Sequence, residues 1–282
     1  GDVYKRQSPD GDFPVINVEK GIYAMELDVG KVSDAVLDIS AGSRTNVVPD
    51  LCTALVDKSL DLKPLEKFNV EVKEADGRIQ LLTRGKSTHG AMPHTGVNAT
   101  WEMFRALSAC LPDDKTLAFV AEKMCRDVNG KAWGFPLEDE VSGKITHSIG
   151  VVSLKNGNLK IKLDVRYPVT YKDSFVAEAM KKNSIDSFKI EEGHIKQPLH
   201  VDADSPLVKG LLEVYNKEMS CDAKPIAIGG RTYSRMLPMC VAFGPSFPGD
   251  TQVIHEINEY VSIDRLMQMA HIYLEAFAKM CG

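Results

Sequence analysis

Four side chains sit where their chemistry exceeds what a turn or a core requires. His255, in FPGDTQVIHEINEY, lies in a polar loop beside Glu256, Asn258 and Glu259. An imidazole there suits a metal ion, because a neighbouring carboxylate or carbonyl can orient its second nitrogen. The alternative is a loop histidine hydrogen-bonded to Asn258. Asp10, in SPDGDFP, offers hard anionic oxygens fit for zinc or manganese, although Pro9-Asp10-Gly11 is equally an ordinary turn. His89 falls between Gly85 and Gly90, in a loop rather than on an apolar helix face, which argues against core filling. Arg166, in LDVRYP, interrupts an apolar strand. A guanidinium pointing inward there is costly unless a carboxylate meets it, whether from a bound substrate or from Asp164; a solvent-facing position is the third option. His94 reads as a loop histidine.

The elements that must position these groups are legible from periodicity and turn chemistry. Residues 13–18 form a short apolar strand, residues 34–39 alternate, and residues 52–56 are rich in strand formers. Residues 59–72 allow a short helix, and Asp76-Gly77 turns the chain into a strand over residues 78–84. Trp101, Phe104, Leu107 and Leu111 recur at helical spacing over residues 98–111. Asn156-Gly157 joins strands over residues 148–154 and 159–167 as a hairpin. A helix over 175–184 and a strand over 188–191 follow. The texture then changes near residue 198: Asp204-Ser-Pro-Leu starts a capped helix running to Met219, and strands near 225–228 and 240–243 precede a last helix over 262–279. A domain boundary belongs at this change.

Composition narrows the function class. A chain of 282 residues, 44% hydrophobic, can bury a substantial core and form two domains. Its net charge of -5, with lysines and arginines spread along the sequence, gives no basic patch for nucleic acid. No apolar run is long enough to cross a bilayer and no basic-then-apolar leader opens the chain, so membrane association is not expected. Six cysteines without a CxxC pair or a compact disulfide spacing fit a reducing cytoplasm. Residues 1–7 carry DVYKRQ, which looks like a translated sequencing adaptor; they are expected to lie outside the fold, with native protein starting around Ser8 and an upstream part missing.

Four stretches, SPDGDFPVINVEKG, KSTHGAMPHTGVNA, LDVRYP and GGRTYSRMLPMCVAFGPSFPGDTQVIHEINEYVSIDRL, together resemble the zinc-dependent aminoacylase/carboxypeptidase G family of metallopeptidases. The likeness runs from Ser8 to the C-terminus and is nearest to the peptidase V branch, bacterial Xaa-His dipeptidases of carnosinase type. It implies an α/β catalytic domain, incomplete here, from residues 8–22 and 204–282, with an inserted α+β lid over residues 23–203 whose helices pack on a mainly antiparallel sheet. It also implies two divalent metal ions, zinc foremost with manganese or cobalt as substitutes, bound in part by Asp10 and His255. His89 would donate to the oxyanion of the tetrahedral intermediate, where charge develops during reaction. Arg166 and Asn46 would hold the carboxylate of a dipeptide substrate, and Gly229 and Gly230 would let backbone approach it. Arg231 stands where many relatives have a third glycine, which alters the pocket's shape and charge. The large lid implies a monomer that supplies its own His89.

A two-metal hydrolase holds its ions roughly 3.5 to 4 Å apart and needs about five protein ligands. The family draws an HxD pair and a Glu-Glu pair, the latter including the general base, from a segment before SPDGDFP, and only ten residues precede Gly11 here. Asp10 and His255 would serve different ions, so this chain is expected neither to retain metal nor to turn over substrate. An aminoacylase or deacylase of the same family is the nearest rival reading. A non-catalytic carboxylate-binding module is the rival from outside enzymes.

Overall fold

A computed structural model describes residues 6–75, 77–251 and 257–281. The chain divides into two compact units: Gly21–Gln197, inserted in sequence, and a split unit made of residues up to Lys20 together with those from Pro198 onward. The boundaries expected at 22/23 and 203/204 fall at 20/21 and 197/198 for a physical reason. Gly21 and Ile22 already pair with Tyr167 and Arg166 in the inserted sheet, whereas Leu199 and His200 pair with Glu19 and Val18 in the split unit.

The inserted unit is an eight-stranded antiparallel sheet. Its strands lie in the order Lys189–Lys196, Gly21–Lys31, Asn158–Tyr167, Thr146–Lys155, Val36–Ala41, Leu51–Val56, Arg78–Arg84 and Glu71–Ala75. The hairpin at Asn156-Gly157 has both central residues at positive φ, 52° and 78°, the geometry that matches the right-handed strand twist. Helix α1 (Ala99–Cys110) starts where the Asn98 side chain accepts from Thr100 N, and it buries Met103, Phe104, Ala106 and Leu107. The short helix α2 (Lys115–Phe119) is capped by Asp114, which accepts from Thr116 N and Leu117 N. Helix α3 (Asp173–Lys182) buries Val176 and Met180. These helices share one core with the sheet, including Trp133, Phe135, Leu27 and Leu163. The helix expected within 59–72 is instead a 3-10 turn, Lys63–Lys67, followed by the edge strand Glu71–Ala75.

In the split unit the Ile16–Glu19 strand pairs in parallel with Ile226–Ile228 and antiparallel with Leu199–His200 and Cys240–Ala242. Arg6–Ser8 adds in parallel to Cys240–Ala242. Residues 6 and 7 are thus part of the fold and not outside it. Backbone pairing is indifferent to side-chain identity, and an extended lead into Asp10 satisfies the open edge, with Phe243 N donating to Ser8 O at 3.0 Å. Helix α4 (Pro206–Met219) has Ser205 as its N-cap and Pro206 in its first turn, and it ends on Ser220 at positive φ. It packs against helix α5 (Ile263–Cys281) through Leu207, Leu211, Tyr215, Met269, Ile272 and Ala276. Phe13 lies within about 5 Å of Tyr215, Phe243 and Phe247, 5.1, 5.0 and 4.8 Å between ring centroids, and anchors the segment carrying Asp10. No helix among the described residues is long and apolar enough to cross a membrane. Cys52, Cys110, Cys125, Cys221 and Cys240 are free thiols.

Candidate functional site

Asp10 lies two residues beyond the Arg6–Ser8 strand, at the carboxyl end of a parallel pair, the edge at which α/β sheets present their ligand sites. Its loop is fastened to the segment after Cys240–Ala242, because Gly11 N donates to Gly244 O at 2.8 Å and Phe13 N to Ser246 O at 2.7 Å. Asp10 Oδ2 accepts from Tyr233 N at 2.7 Å. A cavity of about 840 Å³ opens here, lined by Asp10, Arg231, Asp250, Thr251, Glu259 and Arg265 among others. Asp250 is ion-paired with Arg265 at 2.7 Å, and the Arg265 guanidinium stands 4.4 Å above the Phe247 ring. Asp12, next to this edge, has its carboxyl pushed up by burial.

His255 lies outside the described residues. Thr251 and Glu259, four residues to either side of it in sequence, both line the cavity with Asp10. Gly229 and Gly230 follow the Ile226–Ile228 strand, and an added Cβ on Gly230 would meet only Ile228 Cδ1, at 3.3 Å, so backbone there is open to approach. Arg231 is exposed and directs its guanidinium to the Met236 sulfur at 3.8 Å. No group of three or more His, Cys, Asp or Glu among the described residues is clustered for metal binding. Asp10 nonetheless fits one ligand of a divalent site: it is a hard carboxylate beside a cavity, with one oxygen fixed by a backbone N–H, the outer bond that orients metal-ligating carboxylates.

The inserted unit brings its own candidates together. Val47 and His89 form an isolated antiparallel bridge, and Gly90 N donates to Asn46 O at 2.7 Å. His89 Nδ1 accepts from Ala91 N at 3.1 Å, so the neutral ring carries its proton on Nε2. Arg166 is 4% exposed and its NH2 donates to Asp164 Oδ2 at 2.7 Å, which realises the ion pair that the DVR spacing allows. The two groups meet at Gly90: a Cβ there would stand 2.7 Å from Asp164 Oδ2 and 3.1 Å from the Asn46 carbonyl. The Asn46 backbone and the Asp164 carboxylate that pairs with Arg166 therefore meet at Gly90, next to His89 in sequence.

Sequence reasoning passed over Gly90 and Glu19. Gly90 was readable only as a flanking loop glycine. Glu19 is fully buried and holds Thr232 and Arg235, and its one sequence signal is a carboxylate closing an apolar run, VINVE.

No family model matches the chain. It is 33% identical, over 95% of its length, to "Putative dipeptidase YtjP" of Bacillus subtilis, covering 62% of that protein. It is 29% identical over 97% of its length to "Putative dipeptidase MW1694" of Staphylococcus aureus, covering 63%. The chain thus spans less than two thirds of the curated relatives it matches. Among solved structures, aminopeptidase PepT from Bacillus cereus aligns over 99% of this chain and 58% of its own at 11% identity, with a TM-score of 0.47. Aminoacylhistidine dipeptidase from Vibrio alginolyticus aligns over 96% and 64% at 14% identity, with a TM-score of 0.42. Both likenesses are too loose to carry functional weight.

Proposed function

We propose that the whole protein to which this sequence contributes is a metal-dependent dipeptidase that hydrolyses the amide bond of short peptides bearing a free C-terminal carboxylate. The observation that carries this reading is Asp10, held at Oδ2 by Tyr233 N beside a cavity that both flanks of His255 line. The similarity to dipeptidase-named proteins over 95% of the chain supports it. Asp10 and His255 would each hold one of two divalent ions, zinc or in its place manganese or cobalt, alongside ligands and a general base that are not among these residues. Two divalent ions held there would supply Lewis-acid polarisation of a carbonyl and a more acidic bound water. His89 donates from Nε2 to the developing oxyanion, a contact worth about 3 kcal/mol in comparable sites. Arg166 and Asn46 orient the substrate carboxylate, and the Gly229-Gly230 backbone lies against the substrate. This chain alone, with one candidate ligand per ion, is expected to be inactive. The working protein is read as a cytoplasmic monomer with an inserted lid.

A second reading, an aminoacylase or deacylase of the same family, is favoured by one feature: the candidate residues recognise a carboxylate, which acylated amino acids share with dipeptides. One experiment separates them. The full-length gene product is loaded with zinc, manganese or cobalt and given dipeptides, C-terminally amidated dipeptides and N-acylated amino acids. Metal-dependent cleavage of free dipeptides, abolished by chelation and by Asp10→Asn, is expected. Turnover that survives chelation, or activity confined to N-acylated substrates, overturns the dipeptidase assignment.

A further inference from the structure

We propose that Glu19 is a positioning residue for Asp10, acting through the Thr232–Arg235 turn and the Tyr233 backbone amide. The proposal rests on the reading of Asp10 as a metal ligand. Glu19 closes the Ile16–Glu19 strand with 0% of its surface exposed, a place where a carboxylate persists only if its oxygens are engaged. Both are. Oε1 accepts from Thr232 N at 3.2 Å and from Thr232 Oγ1, and Oε2 accepts from Arg235 Nε at 2.9 Å. Arg235 NH2 also donates to Lys20 O at 2.8 Å. One buried side chain therefore fastens the start of the Tyr233–Met236 turn at Thr232 and its body at Arg235.

Between those two fixed points lies Tyr233. Its side chain is exposed, but its backbone N–H is aimed at Asp10 Oδ2, 2.7 Å away. Thr232 Oγ1 additionally accepts from Ser234 N at 3.2 Å, so the next amide is already spoken for and only Tyr233 N turns to Asp10. The arrangement is a relay from a buried carboxylate, through a rigid turn, to a surface carboxylate at the cavity edge. Holding Oδ2 in advance restricts Asp10 before any ion arrives, so less rotamer freedom is lost on binding. Outer-shell bonds of this kind commonly affect metal affinity by about 10- to 100-fold.

The test measures zinc affinity of the full-length protein by chelator competition, with thermal melts run alongside. Glu19→Gln and Thr232→Val are each expected to weaken zinc binding about 10-fold or more while melting cooperatively, and Thr232→Ser to return it to within about threefold of wild type. In an Asp10→Asn background, Glu19→Gln should add almost nothing, because the relay has lost its endpoint. Unchanged zinc affinity in folded Glu19→Gln and Thr232→Val proteins overturns the proposal. So does an equal, additive loss in the Asp10→Asn background. Should Glu19→Gln fail to fold, Thr232→Val and Thr232→Ser decide, since the first exchanges only the hydroxyl for a methyl and the second keeps the hydroxyl and loses only the methyl. If the wild-type protein itself binds no zinc, manganese or cobalt, the metallodipeptidase reading falls first, and this relay with it.

Discussion

Truncation of Asp164 gives the clearest quantitative test of how the inserted unit is built. Asp164 and Arg166 are two residues apart on the Asn158–Tyr167 strand and so share a face, and their side chains keep only 2% and 5% of their accessible surface. Their 2.7 Å contact is a buried ion pair. Asp164→Ala removes the carboxylate but leaves the guanidinium inside the sheet, which in such sites costs about 3 to 5 kcal/mol. The double variant Asp164→Leu with Arg166→Met replaces charge by apolar volume and should recover most of that loss, because the pair's own net worth is small once desolvation is counted.

The assay is urea unfolding followed by tryptophan fluorescence. Both tryptophans, Trp101 and Trp133, belong to the inserted unit, so the signal reports that unit alone. With a denaturant slope of about 2 kcal/mol per molar, Asp164→Ala should lower the urea midpoint by about 2 M. A loss under about 1 kcal/mol, or a double variant no better than the single, would refute the claim that the Arg166 charge is held inside by Asp164.

His147 supplies a pH prediction for the same unit. It is 1% exposed, and burial lowers its pKa to about 4 despite the opposing pull of the Asp127 carboxylate and backbone. The unfolded chain, titrating near 6.5, therefore holds the extra proton between those values; this stability is fully present above pH 6.5 and is lost as pH falls toward 4, by about 2 kcal/mol between pH 7 and pH 5. Replacing His147 with Phe should flatten that part of the profile, and an unchanged profile would count against the burial argument. Gly90→Ala forces a methyl to within 2.7 Å of Asp164 Oδ2, so it should destabilise the unit by about 1 to 3 kcal/mol in the same fluorescence assay. Ser205→Ala removes the oxygen that accepts from Val208 N at 3.3 Å at the start of α4 and should cost the split unit about 1 kcal/mol, read by hydrogen exchange in the helix's first turn.

Much of the fold was legible where its cause is local. Asn156-Gly157 specifies its hairpin because the two residues that tolerate positive φ stand side by side; the spacing of Trp101, Phe104, Leu107 and Leu111 marks α1; and Asp204-Ser-Pro-Leu announces α4 because capping needs one oxygen within three residues. Residues 59–72 misled because Leu62, Leu65 and Phe68 recur at helical spacing while the outcome was set elsewhere. Pro64 opens a single 3-10 turn, and Glu71–Ala75 is drawn into extension by pairing with Arg78–Arg84, with Glu71 bonded to Arg84 at 2.7 Å. Pairing with a distant edge has no signature in a local window; Arg6 and Gln7 are expected outside the fold because DVYKRQ looks like a translated adaptor, yet their backbone pairs with Cys240 and Val241.

The same distinction explains the site. Asp10, His89, Arg166 and the two glycines stand in the short stretches that carry the family resemblance, so their candidacy could be argued from sequence. Glu19 could not be found that way, because its partners Thr232 and Arg235 lie 213 and 216 residues away and nothing in NVEKG points to them. A ligand is chosen by the chemistry of its own side chain, whereas the group that aims it is chosen by where the fold leaves a buried oxygen. Residues of the second kind should therefore be sought in coordinates, among buried charges whose every bond leads to one loop, as both oxygens of Glu19 lead to the turn that carries Tyr233 N to Asp10.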